Sequence, residues 1–189
     1  MKKIPVIATM MVIIMATPLW SARIHIDISA PGFSKLKIAM PFFSGPHNLA
    51  TTTWSMVEKD IRVSGAFELI DPNTYIYPGP MAEIKPGTLK DWSLIGADFV
   101  ITGAVERQGD IAIFSAQIIE ISNTKVLINK IYKTSNNTIY MAVHKFMDDI
   151  LAESLDLKGL FSTRIASILE KDDKRYLYIA FPDGTGARV

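Results

Sequence analysis

Residues 98–132 read DFVITGAVERQGDIAIFSAQIIEISNTKVLINKIY, and this stretch decides the fold. Phe99 to Glu106, Ile111 to Ile121 and Lys125 to Tyr132 are rich in the branched and aromatic residues of strands, with Gln108-Gly109 and Ser122-Asn123-Thr124 as turns between them. Turns this short join only antiparallel neighbours, so the stretch predicts a meander. Before it, Leu36 to Phe43 is a nearly continuous apolar run of the kind a central strand carries. Asn48 is placed to cap a helix running to about Ser64, with Gly65 as its left-handed stop. Leu49, Thr53, Met56, Val57, Asp60, Ile61 and Ser64 fall near one stripe of that helix. Met56, Val57 and Ile61 are its expected core members, with Trp54 and Val63 widening the face.

Ala66 to Ile70 predicts a short strand closed by Asp71-Pro72. The Pro-, Gly- and Tyr-rich stretch to Gly87 predicts a loop with at most one helical turn, followed by a short helix over Asp91 to Ile95 ended by Gly96. After the meander, Asn137 or Thr138 starts a helix through about Leu155, with Ile139, Val143, Phe146, Met147, Ile150 and Leu151 facing the core. Strand, helix, strand gives a parallel pair, and the hairpins add antiparallel partners. The expected class is therefore α/β: a mixed, about five-stranded sheet packed with helices over residues 35–158. From 159 to 189 the pattern changes to two alternating strands, Arg164 to Leu169 and Arg175 to Phe181, around Lys171-Asp172-Asp173-Lys174 and followed by Pro182-Asp183-Gly184-Thr185-Gly186. An isolated hairpin is marginal and its free edges invite pairing, so this segment reads as the start of a larger β structure cut short at Val189.

The 189 residues carry 20 Lys+Arg against 19 Asp+Glu and no Cys. Near-neutral charge gives no field for nucleic acid, and the absence of cysteine removes disulfides, thiolate metal sites and thiol nucleophiles. Lys2 and Lys3 precede an uncharged stretch, Ile4 to Ala22, which predicts a signal peptide over 1–22 and an exported chain. The rival reading is a retained inner-membrane anchor, weakened by Pro5, Thr9, Thr17, Pro18 and Ser21. Residues 23–34 form an arm and hinge. Arg23, Ile24, His25, Ile26, Asp27, Ile28 and Ser29 alternate strictly as a half-buried strand would, and Pro31-Gly32 separates them from the domain.

Nothing converges on catalysis. His25, His47 and His144 fall in an arm, a loop and a helix, and His144 with Asp148 four residues on predicts an ordinary helix-surface or tertiary hydrogen bond. Asp148-Asp149 and Asp172-Asp173 read as solvated charge, Asp183-Gly184-Thr185-Gly186 as a β-turn, and Asn136-Asn137-Thr138 as a helix cap. Trp54, Trp92, Tyr75 and Tyr77 read as core filling before a partner patch. No catalytic residue, cofactor or metal ligand is predicted, and the expected class is not an enzyme. The alternatives are an exported ligand-binding or enzymatic domain using Asp71 to Gly87 as a lid, or a nonfunctional fragment of a longer protein.

Several short motifs occur collinearly: Ile24-His-Ile-Asp-Ile-Ser, Lys37-Ile-Ala-Met-Pro-Phe-Phe, Asp60-Ile-Arg-Val-Ser-Gly-Ala-Phe, Trp92-x-x-Ile-Gly-Ala-Asp, Val100-x-Thr-Gly and Ala142-Val-His-Lys-Phe-Met-Asp-Asp-Ile. In order and spacing they resemble the amino-terminal domain of the TolB family of the Tol-Pal envelope system. Arg164-Ile-Ala and Asp183-Gly-Thr-Gly resemble the opening of the β-propeller that follows it. The resemblance implies a noncatalytic adaptor in the periplasm, contributing to envelope integrity and outer-membrane invagination during division and exploited in bacteriocin import. It also implies that Arg23 to Ser29 engage TolA. Pal binding belongs to the propeller and is expected only where the propeller is present.

Overall fold

The computed structural model describes residues 34–189. The signal segment 1–22 and the arm residues Arg23 to Ser29 therefore lie outside the described residues. The elements are β1 (Leu36–Ala39), α1 (His47–Ser64), β2 (Phe67–Leu69), α2 (Leu89–Leu94), β3 (Phe99–Gln108), β4 (Ile111–Glu120), β5 (Lys125–Ser135), α3 (Ile139–Leu155), β6 (Ile165–Lys171) and β7 (Lys174–Ala180). The first five strands form one mixed sheet in the order β2-β1-β3-β4-β5. β1 runs parallel to both neighbours, and β3, β4 and β5 form the antiparallel meander. β6 and β7 make a separate two-stranded antiparallel sheet. Among the described residues no helix is long and apolar enough to cross a membrane.

The unbroken apolar runs arise because both faces of the sheet are covered. Ile38, Phe99, Ile101 and Ile118 face the cluster built with α1 and α3. Their neighbours Ala39, Val100 and Ile119 face a second cluster with Tyr75, Ile84, Leu89 and Trp92. The segment foreseen as a possible lid thus packs against the sheet with its own apolar contents. On the larger face Phe146 meets Phe114 edge-on at 5.6 Å between ring centroids and Tyr132 at 5.9 Å, which seats α3 over β4 and β5.

Local chemistry moves several boundaries. α1 begins at His47, with Pro46 at its cap and no side-chain capping bond, so Asn48 lies inside the first turn. The proline already holds a compatible φ of −57°, and its carbonyl accepts from Ala50 N at 2.9 Å. Gly65 does end the helix in the left-handed region. Val63 is 44% exposed; it sits about 200° around the helix from Ile61 and cannot widen that face. The loop before α2 contains two 3-10 turns, Pro72–Thr74 and Pro86–Thr88, and α2 starts at Leu89.

Tyr75 ties this loop to β1. Its hydroxyl donates to Ile70 O at 2.9 Å and accepts from Met40 N at 2.9 Å, while burial pushes the phenol up to about 12 against the opposing Met40 N–H. Tyr75→Phe leaves both backbone groups without that partner and is expected to cost about 2 kcal/mol in chemical denaturation. A cost under about 0.5 kcal/mol would show that the hydroxyl is not holding the loop.

Candidate functional site

A carboxylate on an apolar helix stripe needs a partner, because burying an unpaired charge is expensive. Asp60 occupies such a position on α1, among Trp54, Val57 and Ile61, and is fully buried. Its partner comes from the other helix on this face: His144 of α3 places Nδ1 2.8 Å from Asp60 Oδ2. The other ring nitrogen, Nε2, lies 3.0 Å from Thr185 Oγ1 and 3.6 Å from Asp183 Oδ1. Thr185 donates its hydroxyl to Asp183 Oδ1 at 2.7 Å and its backbone N–H to the same oxygen at 2.9 Å. The Pro182–Gly186 turn is thereby joined to both helices.

Aromatic walls keep the ring in place. Phe161 stacks on His144 at 6.4 Å and Phe181 lies against it at 4.8 Å. The Arg164 guanidinium lies over the Phe181 ring at 4.9 Å from its centroid. Asp148 approaches from the same helix but bonds elsewhere, accepting from Phe161 N at 2.7 Å and Ser162 N at 3.0 Å. Gly159 makes that possible, since a Cβ there would overlap the Asp148 carboxyl. Of the helix-surface and tertiary hydrogen bonds open to His144 and Asp148, the structure shows tertiary ones: the two residues bond longer-range partners.

Burial drives the Asp60 carboxyl above its ordinary range; the His144 hydrogen bond and charge oppose this, and Asp183 and Asp148 reinforce it. Lys59 Nζ, half exposed, stands 3.9 Å from Asp183 Oδ2. Asp149 is also paired: Lys145 Nζ at 2.8 Å, Lys130 Nζ at 3.0 Å and Tyr132 Oη at 2.9 Å converge on it. Burial alone would raise the Asp149 carboxyl, but these three groups outweigh it and hold the carboxyl low. Solvated charge therefore describes Asp172 and Asp173, which form the exposed β6–β7 turn, and not Asp148-Asp149.

Asp60, His144 and Asp183 offer ligand-type atoms within 4.8 Å of one another. The imidazole, however, directs Nδ1 to Asp60 and Nε2 toward Asp183 and Thr185, and a single ion binds only one ring nitrogen. The order Asp60, His144, Thr185 is also that of a nucleophilic triad. Here the Thr185 hydroxyl donates to Asp183 Oδ1, so its one hydrogen is not directed at His144 as a nucleophile's would be. The arrangement suits a chain of hydrogen bonds that fixes a turn. A cavity of about 170 Å³, lined by Met141, His144, Ser162, Arg164 and Phe181, opens beside it.

Of the residues singled out in the sequence, His144 enters this cluster, His47 lies exposed at the start of α1, and His25 falls outside the described residues with the arm. Trp54, Trp92 and Tyr75 are buried, and Tyr77 is half-buried. Asp60 and Thr185 were not foreseen as His144's partners. The signal for the first was its position on an apolar stripe.

Comparison with known proteins gives a consistent result. The family model described as the TolB amino-terminal domain matches residues 24–127. The Tol-Pal system protein TolB of Hamiltonella defensa is 30% identical over 178 residues, covering 88% of this chain and 39% of that protein. The protein of the same description from Syntrophotalea carbinolica is 23% identical over 186 residues, covering 95% and 43%. The crystal structure of TolB from Acinetobacter baumannii superposes with a TM-score of 0.69 at 25% identity, covering 82% of this chain and 38% of that one. The chain spans about two fifths of the length of these relatives.

Proposed function

The chain belongs to the family of the TolB amino-terminal domain, and from that premise we propose that it acts as a noncatalytic adaptor of the Tol-Pal system in the periplasm. The observation that carries this reading is the family match over residues 24–127, which begins within the arm and ends at the start of β5. Arg23, Ile24, His25, Ile26, Asp27, Ile28 and Ser29 engage TolA by strand addition. Backbone hydrogen bonds supply the affinity, and alternate side chains, above all Ile24, Ile26 and Ile28, supply the selection. The mixed sheet with α1 and α3 is the mount from which the arm extends. Pal binding depends on a propeller following the β6–β7 hairpin. The role served is envelope integrity and invagination of the outer membrane at division.

Removing residues 23–30 from the processed protein tests the arm directly. Affinity for the soluble part of TolA is expected to fall at least about tenfold, with the folding transition of the domain unchanged. Equal affinity with and without those residues would place the TolA contact elsewhere.

A further inference from the structure

We propose that the Asp60–His144–Thr185–Asp183 chain is a proton-gated latch, holding the turn after β7 on α1 and α3 when it carries one added proton and releasing that turn when the proton leaves. Three contacts follow one another: Asp60 Oδ2 to His144 Nδ1 at 2.8 Å, His144 Nε2 to Thr185 Oγ1 at 3.0 Å, and Thr185 Oγ1 to Asp183 Oδ1 at 2.7 Å. Each requires one hydrogen between its heavy atoms. A neutral imidazole and a threonine hydroxyl supply two. Thr185 uses its only hydrogen toward Asp183, so Nε2 must donate to Thr185, and the Asp60 contact needs a third hydrogen. That hydrogen is a proton shared by the Asp60–His144 pair, in keeping with the upward displacement of Asp60 by burial.

Losing the proton strikes the turn and spares the helix pair. The ring keeps one hydrogen; placed on Nδ1 it preserves the bond to the fully buried Asp60. Nε2 then becomes an acceptor and draws the threonine hydroxyl away from Asp183. Two oxygens 2.7 Å apart are left without a hydrogen between them, and the half-exposed turn is the side free to yield. The charged and titratable groups facing the cluster are Lys59 and Asp60 from α1, Tyr140 and Asp148 from α3, Arg164 at the entry to β6, and Asp183 of the turn itself. The cavity bordered by His144 and Arg164 gives protons a route to the ring. What the latch controls is the attachment of the β6–β7 hairpin, whose outer faces carry Ile165, Ile168 and Leu177 in the open.

The test pairs nitrogen NMR of the His144 ring with amide hydrogen exchange on the full chain from about pH 5 to about pH 9. Exchange is expressed as protection relative to the unfolded chain at each pH. Protection at Phe181, Gly184 and Thr185 is expected to fall at least about tenfold as the ring gives up its second hydrogen, while Met147 and Leu151 in α3 keep theirs. Thr185→Ala removes the middle link without touching a buried charge and should give low protection at these amides at every pH. A ring that is singly protonated throughout with the turn still protected would overturn the latch. So would turn protection that stays constant while the ring titrates, or a wild-type pH response in Thr185→Ala.

Discussion

Replacing Asp60 with alanine is expected to lower the stability of the domain by about 3–5 kcal/mol at neutral pH, read as a shift in the midpoint of chemical denaturation. Asp60 is fully buried and His144 is 1% exposed, so removing the carboxylate leaves a buried ring nitrogen without its protein partner. The comparison is Arg62→Ala on the same helix. It breaks a 2.8 Å pair with Glu58 in which the arginine side chain is 68% exposed, and such surface pairs are worth only about 0.3–0.5 kcal/mol. If both changes cost the same, Asp60 is not a buried partner of His144. The pH dependence has a definite sign. Asp60 holds its proton more tightly folded than unfolded, so its contribution is complete below about pH 3.9, where the unfolded carboxyl is protonated too, and declines as pH rises through the raised folded value. Asp60→Asn should flatten that decline while keeping an acceptor for Nδ1–H.

Parts of this arrangement are written plainly in the chain and parts are not, and the difference is one of range. The β3–β4–β5 meander is readable because its turns are two or three residues long and its strands announce themselves by composition. The α3 face is readable because 3.6-residue periodicity is local, and Ile139, Val143, Phe146, Met147, Ile150 and Leu151 are all buried. The Asp60–His144 bond joins residues 84 apart, and the His144–Thr185 bond residues 41 apart. No spacing rule reaches that far. The i,i+4 spacing of His144 and Asp148 leaves a surface and a tertiary bond equally open, and the tertiary one forms at each: His144 turns into the core and Asp148 binds the backbone of the incoming linker. An acidic residue on an apolar stripe announces that a partner exists without saying which. Membership of the TolB amino-terminal domain family was legible for a different reason: it rests on several collinear motifs, none of which decides the matter alone.

Gly45→Ala is expected to cost about 3 kcal/mol or more, though nothing in the sequence singles Gly45 out. β1 ends at Ala39, but the chain stays beside β3: Ser44 N donates to Gly103 O at 3.0 Å and Val105 N donates to Ser44 O at 2.8 Å. Gly45 must then turn sharply so that Pro46 can open α1. It does so at φ +129°, where a Cβ would overlap the Val105 carbonyl oxygen. That oxygen is backbone within a paired strand and cannot step aside. An alanine therefore forces the segment away from β3 and breaks both flanking bonds in addition to its own strain. Gly65→Ala is the control. Its φ of +68° carries the ordinary left-handed penalty, but nothing lies within 4 Å of the added carbon, so its cost should be about 1 kcal/mol. Denaturation of the two variants under one set of conditions separates clash from conformational preference, and equal losses would remove the Val105 contact from the explanation. The larger loss at Gly45 would also reach the buried cluster, because the same turn sets where α1 begins and so where Asp60, almost four turns later, meets His144.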